Sequence, residues 1–333
     1  MYILTYPEAI VVGLFQGVTE LFPVSSLGHS VLIPALIGGR WARDLNVSAP
    51  ESPYLAFIVG LHVATALALL AFFWRDWIRI VTGLVTSLRD RRIHTADQRL
   101  AWLLIFATIP VGVAGLALEH FFRTTIGKPI PAAIFLTVNG AILYGGERLR
   151  RRSPGRGVGE PAGQSAGMSA GMPAEAVVRA GSVTTDGGTQ TATLHASAAA
   201  IASDQRLARL GFLEGTLIGS AEILALLAGI SRSGVTMVAG LTRGLSHEDA
   251  ARFSFLLATP VILAAGMLKI PDLTGSLGAG IRGQVLVGSI LSGIGAYLAV
   301  RYLTRYFETR TLTPFAIYCT LAGLASLTYL TVR

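Results

Sequence analysis

Apolar residues along this chain gather into long unbroken runs instead of alternating with polar ones. Six runs are long enough to cross a bilayer as helices: roughly Tyr54–Trp74, Ala101–Leu118, Pro131–Gly146, Phe253–Ile270, Gly283–Val300 and Thr313–Val332. Two more, roughly Glu8–Gly38 and Leu210–Thr242, are cut by polar residues and glycine, the first also by Pro23. Such breaks predict re-entrant helix pairs, because irregular backbone at membrane depth survives only against protein or a water-filled cavity. The expected fold is all-α: a polytopic membrane protein of six spanning helices plus two re-entrant helix pairs.

The order of these elements predicts an inverted repeat. Each half reads as one broken run followed by three spans. Three is odd, so the second half enters the membrane with the opposite sense. Arginines set the orientation. Placing Arg75–Arg99, Arg148–Arg156 and Arg301–Arg310 inside fits all six spans, with the loops near His120 and Asp272 outside. Short matches support the repeat: Gly17-Val-Thr-Glu20 with Gly219-Ser-Ala-Glu222, and Ser25-Ser-Leu-Gly28 with Ser231-Arg-Ser-Gly234. Between the halves, a Gly/Ala/Ser-rich stretch holds almost no bulky apolar residue and predicts a flexible cytoplasmic linker. The expected division is 1–152 for the first repeat, 153–205 for the linker, in which His195 reads as inert, and 206–333 for the second repeat.

Composition narrows the class. Charged residues make up 14% of the 333, against about a quarter in a soluble domain. A soluble enzyme and a disordered chain are both excluded. The net charge of +8 reads as cytoplasmic loop charge, so no nucleic-acid partner is expected. Cys319 stands alone and can form neither an internal disulfide nor a thiolate metal site. No basic stretch precedes the first apolar run, so no cleavable signal peptide is expected.

The broken runs carry the chemistry. Gln16 and Glu20 are four residues apart and share a helix face. Pro23 interrupts that helix, and Ser25, Ser26, Gly28 and His29 follow. A serine opening a new helix caps it and leaves N–H groups pointing at a ready anion site. In the second run, Gly229-Ile-Ser231-Arg232-Ser233-Gly234 precedes Thr236. Arg232 offers a planar fork suited to phosphate, and a charge at membrane depth is a functional candidate. Structural readings stand beside these. Glu20 and Arg232 could form a plain ion pair, Arg232 could snorkel, Ser25 and Ser26 could only cap, and His29 could be an interior histidine. His62, Asn139 and Glu147 read as packing, hydrogen-bonding or interfacial residues, and Glu248 and Asp249 as a solvated helix start. Taken together, an acid, hydroxyls, an imidazole and a guanidinium suit a phosphate ester or anhydride. A carboxylate beside phosphate calls for a bridging divalent cation, Mg²⁺ or Ca²⁺, on Glu20 with Glu222.

At these residues the chain resembles the undecaprenyl-diphosphate phosphatase, or bacitracin-resistance, family. The likeness rests on Gln16-Gly-Val-Thr-Glu20-Leu-Phe-Pro-Val-Ser-Ser-Leu-Gly-His29 and Gly229-Ile-Ser-Arg-Ser-Gly-Val-Thr236. Phe73-Trp-Arg75, Phe253–Pro260 and Pro314–Tyr318 add to it. It implies an enzyme of the bacterial cell membrane, with its site open to the outer face, that takes a polyprenyl diphosphate lipid to the monophosphate for cell-wall synthesis. It also implies a divalent cation. The motifs map catalytic roles onto Glu20, Ser26, His29 and Arg232. On this reading Ser26 attacks phosphorus or positions a water, His29 moves protons, Glu20 and Glu222 hold the metal, and Gln16, Ser25, Ser231, Ser233 and Thr236 bind substrate. A homodimer is one expectation for the assembly. Leu27, Ala228 and Glu222 depart from residues usual in the family, which are Ser or Thr, Pro and Gln. The rival reading is a lipid-phosphate flippase or anion transporter, since transporters share inverted repeats and broken helices.

Overall fold

The structure, a computed structural model, describes residues 4–45, 53–121, 127–152, 198–274 and 280–332. They form helices throughout. The first half holds α1 (Tyr6–Leu21), α2 (Ser26–Ile37), α3 (Gly39–Asp44), α4 (Pro53–Phe72), α5 (Trp74–Asp90), α6 (Ala96–Phe121) and α7 (Pro129–Arg152). Then come α8 (198–207), α9 (Phe212–Ser220) with a 3-10 extension (Ala221–Leu226), α10 (Arg232–Thr242), α11 (His247–Thr274), α12 (Arg282–Thr309) and α13 (Thr313–Val332). Among the described residues, α6, α7, α11, α12 and α13 are each long and apolar enough to span a bilayer. Counting α4 with α5 across their 86° bend as one span brings the total to six. The chain is a multi-pass membrane protein, and both broken runs fold as short helix pairs.

The halves pack on one another reciprocally. A Cβ on Gly140 of α7 would fall 2.7 Å from Thr320 N and 2.8 Å from Ala316 O of α13; one on Gly323 of α13 would fall 2.6 Å from Thr137 N and 2.9 Å from Ala133 O of α7. The first helix of each pair repeats the arrangement. Gly17 of α1 presses on Ser292 of α12, and Gly219 of α9 presses on Ala107 of α6, each with a would-be Cβ 2.8 Å from the facing Cα. Small residues let these backbones close together, the usual basis of helix association in lipid. Both pairs also start alike: Glu8 accepts from Thr5 N at 2.8 Å and Glu214 from Gly211 N at 3.0 Å, satisfying donors that a helix start leaves open.

Two expectations are corrected and one segment gains structure. The arginine-rich segment after Trp74, expected only as an inside-facing stretch between two spans, contains the amphipathic helix α5, with Trp74, Ile78, Val81, Val85 and Leu88 exposed along one face. Its stripe is diluted by arginines, so average hydropathy conceals it. The C-terminal end of the expected linker, 198–205, is helical, while 153–197 and with it His195 lie outside the described residues. From α8, Asp204 accepts from Arg252 at 2.7 Å and from Arg79 at 2.5 Å, tying the helix to α11 and α5. Asp249 is not solvated: it is buried, takes both Arg206 nitrogens at 2.7 Å and accepts from Ser203. Glu147 is likewise buried, 2.5 Å from His247 Nε2 and 2.7 Å from Leu312 N, where it joins α7, α11 and α13.

Candidate active site

Each helix pair turns at a serine. The helix of α1 ends before Pro23, which cannot continue it, and Ser25 then takes φ 69°, a left-handed conformation that costs a non-glycine residue strain. Ser25 Oγ caps α2 by accepting from Gly28 N at 3.1 Å, and it also accepts from Gly229 N of the other pair at 3.2 Å. Ser231 Oγ caps α10 through Gly234 N at 3.2 Å. The two turns touch: a Cβ on Gly28 would fall 2.7 Å from Gly229 Cα, and Gly229 itself sits at φ 114°. Asn139 of α7, fully buried, joins both, donating to Pro23 O at 3.1 Å and accepting from Ser231 N at 3.0 Å.

This contact brings four of the expected residues together. Glu20 Oε1 accepts from Arg232 Nη2 at 2.9 Å. Glu20 Oε2 accepts from Ser26 Oγ in a short hydrogen bond and from Gln16 Nε2 at 3.1 Å. Gln16 is held in turn by Ser292 Oγ at 2.7 Å and Thr65 Oγ1 at 3.3 Å on its carbonyl oxygen. Arg232 Nη1 and Glu222 Oε2 are buried without a partner among the described residues. They are the groups of this cluster left open to a ligand, because unsatisfied polar atoms at such depth are costly.

The other expected residues sit differently. Ser231 and Ser233 face each other at 3.1 Å and lie 3.5 and 3.3 Å from Phe22 O, so their hydroxyls brace the turn. Thr236 Oγ1 lies 3.2 Å from Glu222 Oε1 and 2.8 Å from Arg232 O. His29 has both nitrogens engaged away from Glu20: Nδ1 donates to Ser25 O at 2.7 Å and Nε2 faces Tyr318 Oη at 2.8 Å. A carbonyl only accepts, so His29 carries its proton on Nδ1 and Tyr318 donates to Nε2.

Two site residues escaped the sequence reading. His62 of α4 does make an interhelical contact, but with the site itself, its Nε2 3.3 Å from Glu20 Oε2 and its Nδ1 on Ile58 O at 2.8 Å. Both nitrogens face acceptors, so the ring is satisfied on both sides only as a double donor. A lone histidine in an apolar span was the available signal. Tyr318 stands in a run already matched to the family, yet nothing in its spacing ties it to His29. Asn139 matters for position. Replacing it with Leu is expected to leave Ser231 N unpaired, at about 1–3 kcal/mol, and Pro23 O with only the weak Cys319 thiol at 3.7 Å. A lower melting temperature in detergent with a matching loss of activity is the expected result.

Among the described residues no three His, Cys, Asp or Glu side chains are placed to hold a metal ion. The donors nonetheless fit a cation held largely by a phosphate ligand, as Mg²⁺ usually is. Glu222 Oε2 is a free buried oxygen, while both oxygens of Glu20 are already taken by donors.

The sequence pattern described as bacitracin resistance protein BacA matches residues 9–325. The chain is similar to an undecaprenyl-diphosphatase of Mycolicibacterium paratuberculosis, 65% identical over 330 residues covering 99% of each chain. It is also similar to undecaprenyl-diphosphatase 1 of Frankia casuarinae, 56% identical with 96% of each covered, and to an undecaprenyl-diphosphatase of Acidiphilium cryptum, 38% identical with 96% of each covered.

Proposed function

The chain belongs to the bacitracin resistance protein BacA family, and from that premise we propose that it hydrolyses undecaprenyl diphosphate to undecaprenyl phosphate and inorganic phosphate. The carrying observation is the divided fork of Arg232: Nη2 is fixed on Glu20, and Nη1 is buried and free for a phosphate oxygen. Such a donor stabilises charge that grows on the transferring phosphoryl group.

The contacts support a route through a phosphoserine. Ser26 Oγ already donates to Glu20, so the carboxylate takes the serine proton as Oγ attacks the terminal phosphorus. The bridging P–O bond breaks, and its electron pair leaves with undecaprenyl phosphate. A water then attacks the phosphoserine, the Ser26 O–P bond breaks, Glu20 returns its proton to Ser26 Oγ, and phosphate departs with the water's oxygen, its protons going to the phosphate and to solvent. Gln16 and His62 hold Glu20 in place. His29, fixed through Nδ1 on Ser25 O, exchanges a proton at Nε2 with Tyr318, which is 44% exposed. Where a divalent cation is bound, Glu222 is the residue to hold it, and it supplies charge neutralisation on the diphosphate. The site faces the outer side of the bacterial cell membrane, with the prenyl tail between helices in the bilayer.

The test is phosphate release from the C55 diphosphate by purified protein, with and without chelator. Release that stops on chelation and returns with Mg²⁺ or Ca²⁺ is expected. Flux of labelled lipid phosphate across liposomes with no phosphate release overturns the reading. Tyr318→Phe removes one hydroxyl. It is expected to lower turnover about tenfold and to shift the pH profile while the melting temperature holds. An unchanged profile removes His29 from proton transfer.

A further inference from the structure

Apart from the catalytic cluster, the C-terminal end of α12 forms an open groove of about 470 Å³ lined by Leu298, Arg301, Tyr302, Arg305, Tyr306 and Arg310. None of its three arginines makes an ion pair with a carboxylate among the described residues, whereas Arg79, Arg206, Arg232 and Arg252 all do. The groove lining thus holds three arginines and no acid, with Glu308 on the same helix end outside the lining. Its floor is aromatic: Tyr302 and Tyr306 lie 5.7 Å apart, and Phe22 stacks on Tyr302 at 6.0 Å with the rings 3° from parallel. Toward the middle of α12 it opens onto exposed Leu298, Ile294 and Ile290, spaced four residues apart and so aligned on one helix face.

We propose that this groove is a binding site for an anionic phospholipid of the surrounding bilayer, its phosphate among Arg301, Arg305 and Arg310 and an acyl chain along Leu298, Ile294 and Ile290. Guanidinium groups suit phosphate oxygens, and tyrosines suit the level where headgroups meet hydrocarbon. A free anion would have no use for the apolar track. The site is distinct from the catalytic one but touches it through Phe22. The Phe22 ring rests on Tyr302, and its carbonyl is braced by the hydroxyls of the arginine turn, Ser231 and Ser233. An occupied groove therefore buttresses the turn that holds Arg232.

Native mass spectrometry of the full chain released from mixed phosphatidylglycerol and phosphatidylcholine micelles tests this. The expected result is retention of phosphatidylglycerol over phosphatidylcholine by about tenfold or more. The triple variant Arg301→Gln, Arg305→Gln, Arg310→Gln is expected to show no preference. Arg305→Gln alone, as the milder variant should the triple fail to fold, is expected to lower the preference about fivefold. Equal retention of the two lipids overturns the proposal, as does a preference that survives the substitutions. Displacement of the lipid by millimolar inorganic phosphate marks a free-anion site instead, and a dimer that falls apart in the triple variant marks a protein interface. Either outcome also overturns it.

Discussion

Arg232→Ala is expected to lower phosphate release by about a thousandfold or more, the scale seen when an arginine that stabilises a transferring phosphoryl group is removed. Two losses coincide. The phosphate loses the free Nη1 donor, and Glu20 loses the partner of its Oε1 at 2.9 Å. Glu20 keeps His62, Ser26 and Gln16 on its other oxygen but its buried Oε1 is left without a donor, at about 1–3 kcal/mol, so the variant is also expected to melt earlier. Arg232→Lys separates the two effects. A lysine restores the charge beside Glu20 but is a point cation, which cannot hold a carboxylate and a phosphate with two arms at once. It should therefore recover most of the melting temperature and little of the turnover. If Arg232→Lys instead restores turnover, the divided fork is not what the reaction uses.

Gly17→Val is expected to abolish activity without touching a catalytic atom. The new Cβ would lie 2.8 Å from Ser292 Cα and closer still to its carbonyl, and a backbone cannot give way as a side-chain end does. Helix α1 must back away from α12. Gln16 then loses Ser292, its contact at 2.7 Å, and Glu20 is carried off its bonds to Arg232 and Ser26. A shift of about 1 Å in a catalytic group can cost about a hundredfold in rate. Gly219→Val presses on Ala107 in the same manner on the other side of the molecule. Both variants should reach the membrane and purify in lower yield, with earlier melting. Near-normal turnover in Gly17→Val would show that the helix contact does not set the position of Glu20.

The spans and the broken runs were legible because the bilayer imposes length and apolarity on every crossing segment. The meeting of Glu20 with Arg232 was legible for a related reason, since charges at membrane depth need a partner and each broken run offered one. Helix α5 was not, because its apolar stripe is visible only at helical period and its arginines lower any running average. The burial of Asp249 and Asp204 was hidden as well: their partners Arg206 and Arg252 reach them through α8, which the composition of its neighbourhood disguised as linker. One further internal match lay in plain view. Pro131-Ala-Ala-Ile-Phe-Leu-Thr-Val-Asn-Gly140 shares five of ten positions with Pro314-Phe-Ala-Ile-Tyr-Cys-Thr-Leu-Ala-Gly323. Those glycines and threonines make the reciprocal crossing of α7 with α13. The serines illustrate the opposite limit. The family resemblance singled out Ser26 among the four serines and gave Ser25, Ser231 and Ser233 to the substrate; in the structure Ser26 is aimed at Glu20, while the other three hydroxyls are spent on holding backbone.

The matched turns are alike in scaffold and unlike in cargo. Counted from the capping serines, Ser26 and Arg232 hold the same place, the first residue of the helix that follows. A pocket built from two identical copies would carry two attacking oxygens and no clamp, or two clamps and nothing to attack. Under the proposed roles the copies must therefore diverge, and they do so at Ser26 against Arg232 and at His29 against Val235.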